Sequence, residues 1–282
     1  MGISKKIVWI TDSLSTLSEE FIKKHQIEVI PLNVIFGDTS YKENIDITAE
    51  QYYEKLSKSP TLPKTSQPAI GEFVERFKNL KEKYDYGIAI HASSALTGTY
   101  QGSVMAAEMV DFPVEVIDSK VGSFALGKMI ERGIQLEQAG ESYEKIVDYL
   151  HTLPDKARLY LVPGSLEQLH KGGRVSTTQT IIGNLIKLKL IIKFEDGKAV
   201  LSEKIRSYKK VKKRLYEIFD EASHMIKEAS VVHGNDLVNA EEWKKELQQI
   251  YPHIKFSTTI LSPVAGTHTG QDTIGLTWIN EG

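Results

Sequence analysis

Short apolar runs alternate with stretches of helical spacing up to about residue 153, and this alternation constrains the fold of the chain more than any other feature. Lys6 to Ile10, Glu28 to Phe36, Tyr86 to Ile90 and Val114 to Ile117 are brief and rich in β-branched residues, as buried strands are. Helical spacing runs from about Leu17 to His25, from Asp46-Ile47-Thr48-Ala49-Glu50 through Leu56, from Gly71 to Lys83, from Leu96 to Val110, from Gly122 to Gln138 and from Ser142 to about Leu150. Strands joined by helical crossovers run parallel, and a parallel sheet needs cover on both faces. The first half therefore reads as a parallel sheet with helices on both faces.

Around Pro154 the pattern changes. Leu159 to Val162 is a strand, Gly164-Ser165-Leu166-Glu167 opens a short helix, and Thr177 to Ile186 has helical spacing. Leu188 to Phe194 and Ala199 to Ile205 alternate about Glu195-Asp196-Gly197-Lys198, a hairpin signature. A basic amphipathic helix is expected from Ser207 to Glu228, a strand from Ser230 to His233, a helix from Ala240 to Ile250, a strand from Lys255 to Ile260, a polar turn from Ala265 to Gly270, and a last strand from Thr273 to Ile279. The expected fold is α/β in two domains: residues 1–153 with the parallel sheet, and residues 154–282 with a mixed sheet. A chain of 282 residues is long enough for either one large or two ordinary domains.

Charge is uneven. The net charge of -2 divides into 16 Lys and Arg against 22 Asp and Glu up to Thr152, and 19 against 15 after it. Between Lys171 and Arg214, 13 basic residues face only Glu195, Asp196 and Glu203. A solvated helix face explains such a run, and so does a surface for an acidic partner. Nucleic acid fits less well, because the run lacks interleaved aromatics and any helix-turn-helix or zinc pattern. The absence of cysteine excludes a disulfide framework, a thiol nucleophile and thiolate metal ligands. The opening MGISKKIVWITDS enters a strand at once without the apolar run of a signal peptide, and no stretch approaches a membrane span. A cytoplasmic location is expected.

Chemistry concentrates in a few places. His91 to Ser103 reads HASSALTGTYQGS, with Ser93, Ser94, Thr97 and Thr99 where an apolar strand gives way to a helix. Two readings apply: the hydroxyls cap the helix, or they line a ligand site at the carboxyl end of a parallel strand. Asp12-Ser13 and Asp118-Ser119 also follow strands and fall on the same expected rim. The loop from Pro60 to Pro68 carries Thr65, Ser66 and Gln67. In Lys171-Gly172-Gly173-Arg174, paired glycines lie between cationic side chains that suit a phosphate or an acidic partner. His91 reads as structural. His268, between glycines and threonines in a polar turn, has two readings: a hydrogen-bond donor to an anion, or an ordinary surface histidine. The chain contains no GxSxG, HExxH, GxGxxG or Walker loop.

Seven pieces, in order, resemble the DegV family, whose best understood members are the bacterial fatty-acid-binding FakB proteins. They are TDS at Thr11 to Ser13, TSQP at Thr65 to Pro68, SSALTGTYQ at Ser93 to Gln101, IDS at Ile117 to Ser119, GSLEQLHKGGRVS at Gly164 to Ser176, KIRSYKK at Lys204 to Lys210 and GTHTG at Gly266 to Gly270. The chain departs from the family pattern at Leu190, where proline is common, and at Gln271-Asp272, where Pro-Gly is common.

The resemblance implies a two-domain α/β protein that holds one long-chain fatty acid and needs no cofactor or metal. It places the carboxylate at Thr65, at Ser93 or Ser94, and at Thr267 and His268, with Arg206 near the headgroup. It implies a separate ATP-dependent fatty acid kinase as partner, which phosphorylates the bound acid for phospholipid synthesis, with Lys171 and Arg174 on the partner or phosphate surface. It also implies transient membrane contact to exchange lipid. On this reading the chain is a carrier and not itself an enzyme. The alternative is an acyl or phosphoryl transferase using Ser93 or Ser94 with His268. Burying about 16 methylenes at ~0.8 kcal/mol each supplies on the order of 12 kcal/mol before ordering costs. The tail then provides affinity, and the polar groups offset desolvation of the head.

Overall fold

The computed structural model describes residues 6–175 and 188–281. The helix expected from Thr177 to Ile186 lies outside the described residues. Among the described residues the strands form three sheets. Strands β1 (Ile7–Asp12), β2 (Glu28–Ile30), β6 (Tyr86–His91) and β7 (Val114–Asp118) pair in parallel in the order β2-β1-β6-β7.

The period of two along these strands divides the apolar residues between two layers. Trp9, Ile88 and Ile90 pack against helices α5 (Ser123–Gln138) and α6 (Tyr143–His151), through Leu126, Met129 and Ile146. Val8, Ile10 and Ala89 face α3 (Ile70–Lys81) and α4 (Thr99–Val110), through Phe73, Phe77 and Ala106. Both faces are thus covered, as the alternation requires.

The strand expected from Glu28 to Phe36 is broken. Pro31 has no N–H to give a ladder, and the Leu32 N–H donates to the Ser13 hydroxyl instead. The chain then leaves the parallel sheet, and β3 (Asn33–Phe36) joins β4 (Thr39–Lys42) and β5 (Lys64–Ser66) in a small antiparallel sheet, order β4-β3-β5. Helix α2 (Ala49–Lys58) lies between β4 and β5 in sequence and opens with a capping box between Thr48 and Gln51.

The third sheet is mixed, with order β10-β9-β8-β13-β11-β12. Its strands are β8 (Ala157–Val162), β9 (Lys189–Glu195), β10 (Lys198–Ile205), β11 (Glu228–His233), β12 (Lys255–Ile260) and β13 (Ile274–Ile279). Only β11 and β12 pair in parallel; the other neighbours are antiparallel. The hairpin turns at Asp196 and Gly197, with φ of 47° and 78°, as a two-residue turn between right-twisted strands demands.

Helix α8 (Tyr208–Ala222) ends before the expected Glu228, which instead begins β11 beside Lys255. Much of its charge is neutralised locally: Lys212 pairs with Glu242 and Glu246 of α9 (Leu237–Ile250), and Arg214 with Glu203. Helix α5 packs between the parallel and mixed sheets, where Met129 and Ile130 share one apolar cluster with Leu159, Leu161, Val232 and Ile279.

Candidate functional site

The three sheets meet at a cavity of about 680 Å³. Its walls are apolar: Leu14, Leu32, Val121, Leu159, Leu161, Ile192, Phe194, Leu261 and Val264 line it. Thr65, Gln67, Ser94, Thr97, His268, Arg174 and Lys198 supply polar groups to the same lining. The volume falls in the range of roughly 300–1,000 Å³ typical of small-molecule sites.

Thr65 reaches the cavity from β5, and His268 from helix α10 (Pro263–Thr269). The expected polar turn from Ala265 to Gly270 is therefore a helix through Thr269. Glycine and threonine disfavour helix, but here tertiary contacts override that propensity. Ser262 caps α10 by accepting the Ala265 N–H, and Pro263 occupies its first turn. Tyr52 and Tyr53 of α2 bond to Thr267 Oγ1 and the Leu261 carbonyl, at 3.0 and 3.3 Å. Gly266 lies so close to the tyrosines that a Cβ there would stand 2.5 Å from the Tyr53 hydroxyl. Thr267 is thus an anchor of α10 and does not line the cavity. At the departure Gln271-Asp272, Asp272 takes φ of 62° and donates its N–H to Gly234 O, so an aspartate adopts a left-handed turn conformation.

Thr65 Oγ1 and His268 Nε2 are 3.0 Å apart. Burial, reinforced by Arg174, lowers the His268 pKa to about 4, so its ring is neutral at pH 7. Nδ1 is buried and has no partner among the described residues. An unpaired N–H costs more than an unpaired lone pair, which favours the tautomer with its proton on Nε2. His268 then donates to Thr65, and the Thr65 proton is free for an acceptor in the cavity. A Cβ on Gly172 would stand 2.5 Å from Nδ1, so this first glycine of the pair allows the backbone to approach the histidine.

The two serines have different roles. Ser93 is fully buried and donates to the Gly197 carbonyl at 2.6 Å, joining the rim of the parallel sheet to the hairpin turn. Ser94 lines the cavity, but its hydroxyl and its N–H donate to Asp118, which also accepts the Lys120 N–H. A hydroxyl has one proton, so in this arrangement Ser94 presents lone pairs to the cavity. Arg174 lines the cavity, whereas Lys171 lies outside it, paired with Glu167. Arg206 is exposed and is not among the residues lining the cavity.

Asp12, at the end of β1, is structural. Its Oδ2 accepts from the Ala92 N–H and from Thr99 Oγ1, and meets His91 Nδ1 at 3.2 Å; His91 Nε2 meets Ser103 Oγ at 2.6 Å. This serine-histidine-aspartate chain is buried and outside the cavity lining. By contrast, the hydroxyl partner of His268 is Thr65, not Ser93 or Ser94. Among the described residues, no group of histidine and acidic side chains is arranged to hold a metal ion. No helix among them is long and apolar enough to cross a membrane.

Fold and site together define an α/β protein whose sheets share one cavity, apolar along its walls and polar where Thr65 meets His268. The DegV family model, described as "Uncharacterised protein, DegV family", matches residues 6–281. Protein DegV of Bacillus subtilis is 36% identical over 276 residues, covering 96% of this chain and 98% of that protein. The chain belongs to the DegV family. The crystal structure of B. subtilis DegV, described as a fatty acid binding protein, superposes with a TM-score of 0.90 and covers 98% of this chain and 100% of its own. A stearic acid-binding protein of Eubacterium ventriosum, 27% identical, has a TM-score of 0.88 and covers 98% of each chain. The Streptococcus pneumoniae Fatty Acid Kinase B3 protein, solved loaded with linoleic acid, shares the fold at 17% identity and a TM-score of 0.84, with 98% of this chain and 99% of its own covered.

Proposed function

We propose that this chain binds one long-chain fatty acid, with the acyl tail in the apolar cavity and the carboxyl group accepting from Thr65, which His268 orients, in the part of the lining that Ser94 shares. The observation that carries this reading is a cavity with leucine, isoleucine and phenylalanine walls and a hydroxyl–imidazole pair in its lining. That two relatives are described as fatty acid binding supports it. Mass spectrometry of the natively purified protein, denatured to release its contents, tests the reading. A stoichiometric fatty acid is expected; an empty protein that also fails to take up added fatty acid overturns it.

The finer part of the proposal is that the chain is a carrier and presents the carboxyl group to a separate ATP-dependent fatty acid kinase, whose acyl phosphate product feeds phospholipid synthesis. The family resemblance supports this part, and so do the cations Arg174 and Lys198 in the cavity lining, a charge that suits a phosphorylated headgroup. With such a kinase, ATP and loaded protein, acyl phosphate should form only when all three are present. Acyl phosphate made by this chain and ATP alone would instead identify an enzyme.

A further inference from the structure

Glu43, at the junction of β4 and the loop before α2, is a buried acid without a function so far. The residue is 1% exposed, and its carboxylate joins distant segments of the chain. The Ser13 hydroxyl, just past β1, donates to one oxygen, and the Val264 N–H donates to the other at 2.6 Å. The Ser262 side chain lies beside it. Among the described residues it forms no ion pair; Asp12, at the end of β1, and Tyr52 and Tyr53 of α2 are the titratable groups that face it.

The bond to Val264 completes the first turn of α10. Pro263 has no N–H, the Ala265 N–H goes to Ser262 Oγ, and the Gly266 N–H goes to Ser262 O. The Val264 N–H is thus the remaining donor of that turn, and Glu43 accepts it. One helical turn further on stands His268, aligned with Thr65.

We propose that Glu43 is the positioning residue for His268: ionised, it fixes α10 so that the imidazole meets Thr65, and on taking up a proton it loosens that helix and weakens ligand binding. The inference rests on the fatty-acid reading for its ligand. In the ionised state both Ser13 and Val264 donate to a charged acceptor, and charge-assisted bonds are roughly twice as strong as neutral ones. In the protonated state the carboxyl O–H turns to Ser13 Oγ, which already accepts the Leu32 N–H, and the bond to Val264 becomes a neutral one. Burial raises the Glu43 pKa to about 7, against the hydrogen bonds from Ser13 and Val264 and the nearby Ser262 hydroxyl and with a smaller contribution from Asp12, so the exchange falls near neutrality.

Two measurements on the full chain test this. Ring-nitrogen NMR of the ligand-free protein, with His268 assigned from a His268→Gln variant, should show His268 signals that move with a midpoint near 7 in the wild type and stay still in Glu43→Gln. Affinity for cis-parinaric acid, a fluorescent fatty acid, should rise about fivefold with pH across that midpoint in the wild type and stay flat in Glu43→Gln. His268 signals that stay still in the wild type overturn the proposal, and that outcome does not need Glu43→Gln to fold. So does a pH response of equal size in Glu43→Gln. If neither protein binds cis-parinaric acid while the ring signals still follow Glu43, the fatty-acid reading fails and the coupling of Glu43 to α10 stands.

Discussion

Thr65 and His268 divide one hydrogen-bond proton between them, and the tautomer decides what the cavity offers a ligand. With the ring proton on Nε2, Thr65 is the free donor, whereas the Ser94 proton is held by Asp118. Thr65→Val removes that donor at nearly constant shape and should lower fatty-acid affinity about tenfold, the effect of losing a bond to a charged group. Ser94→Ala should cost less. Displacement of a fluorescent fatty acid ranks the two, and an equal or larger loss in Ser94→Ala contradicts this assignment of protons. Glu43 predicts a pH effect on stability. Its folded pKa of about 7 lies above the ordinary value of 4.5, so its contribution is fully present below 4.5 and is lost as pH rises through 7. Above that range the ionised group costs on the order of 3 kcal/mol. His268, depressed to about 4, acts in the opposite sense: its contribution is lost as pH falls. Denaturant unfolding should find Glu43→Gln more stable than the wild type at alkaline pH, with the difference shrinking towards acid; a variant no more stable at high pH would contradict it. Thr65, Ser94 and His268 are legible in the sequence as hydroxyls and an imidazole in short motifs. Glu43 is not, because its burial depends on Val264, 221 residues away.

Helix α10 shows how an element takes its form from its neighbours. Its residues are poor helix formers, and the sequence reads as a turn. Ser262-Pro263, a cap followed by an N1 proline, is the signal that could have revealed it. The larger cause is packing against Tyr52 and Tyr53, which no local pattern contains. Gly266→Ala tests that cause. Its Cβ meets a fully buried tyrosine at 2.5 Å, so α10 must shift, at a cost of about 1–3 kcal/mol and with weaker ligand binding. Chemical denaturation measures the first effect, and an unchanged midpoint would mean that the helix is not held there. The strands at Tyr86–His91 and Val114–Asp118 and the Asp196-Gly197 hairpin are legible because apolar runs and turn residues act locally. The split after Ile30 also has a local cause in Pro31. Destinations are different: only the folded molecule shows β3 and β5 pairing with each other.

The whole molecule is arranged so that cavity walls come from elements far apart in the chain. Leu14 and Leu32, Val121, Leu161, Ile192 and Val264 line one space, and each belongs to a different segment. A ligand filling it replaces contacts that the walls cannot make with one another, and it touches both the parallel-sheet rim and the mixed sheet. It should therefore stabilise the molecule as a unit. At about 100-fold excess over its dissociation constant, a ligand adds ~2.7 kcal/mol to the folded state. For a chain of this size that raises the melting temperature by roughly 5 °C. Protection should also be specific in place. Hydrogen exchange should slow at α10 and at the turn between β9 and β10, which Ser93 fastens to the parallel-sheet rim. Helices α8 and α9, which contribute no residue to the lining, should exchange unchanged. Delipidated and reloaded protein, compared by calorimetry and exchange mass spectrometry, provide the measurement. A uniform change in exchange over the whole chain, or none with a saturating fatty acid, would show that the cavity is not where the stabilisation arises.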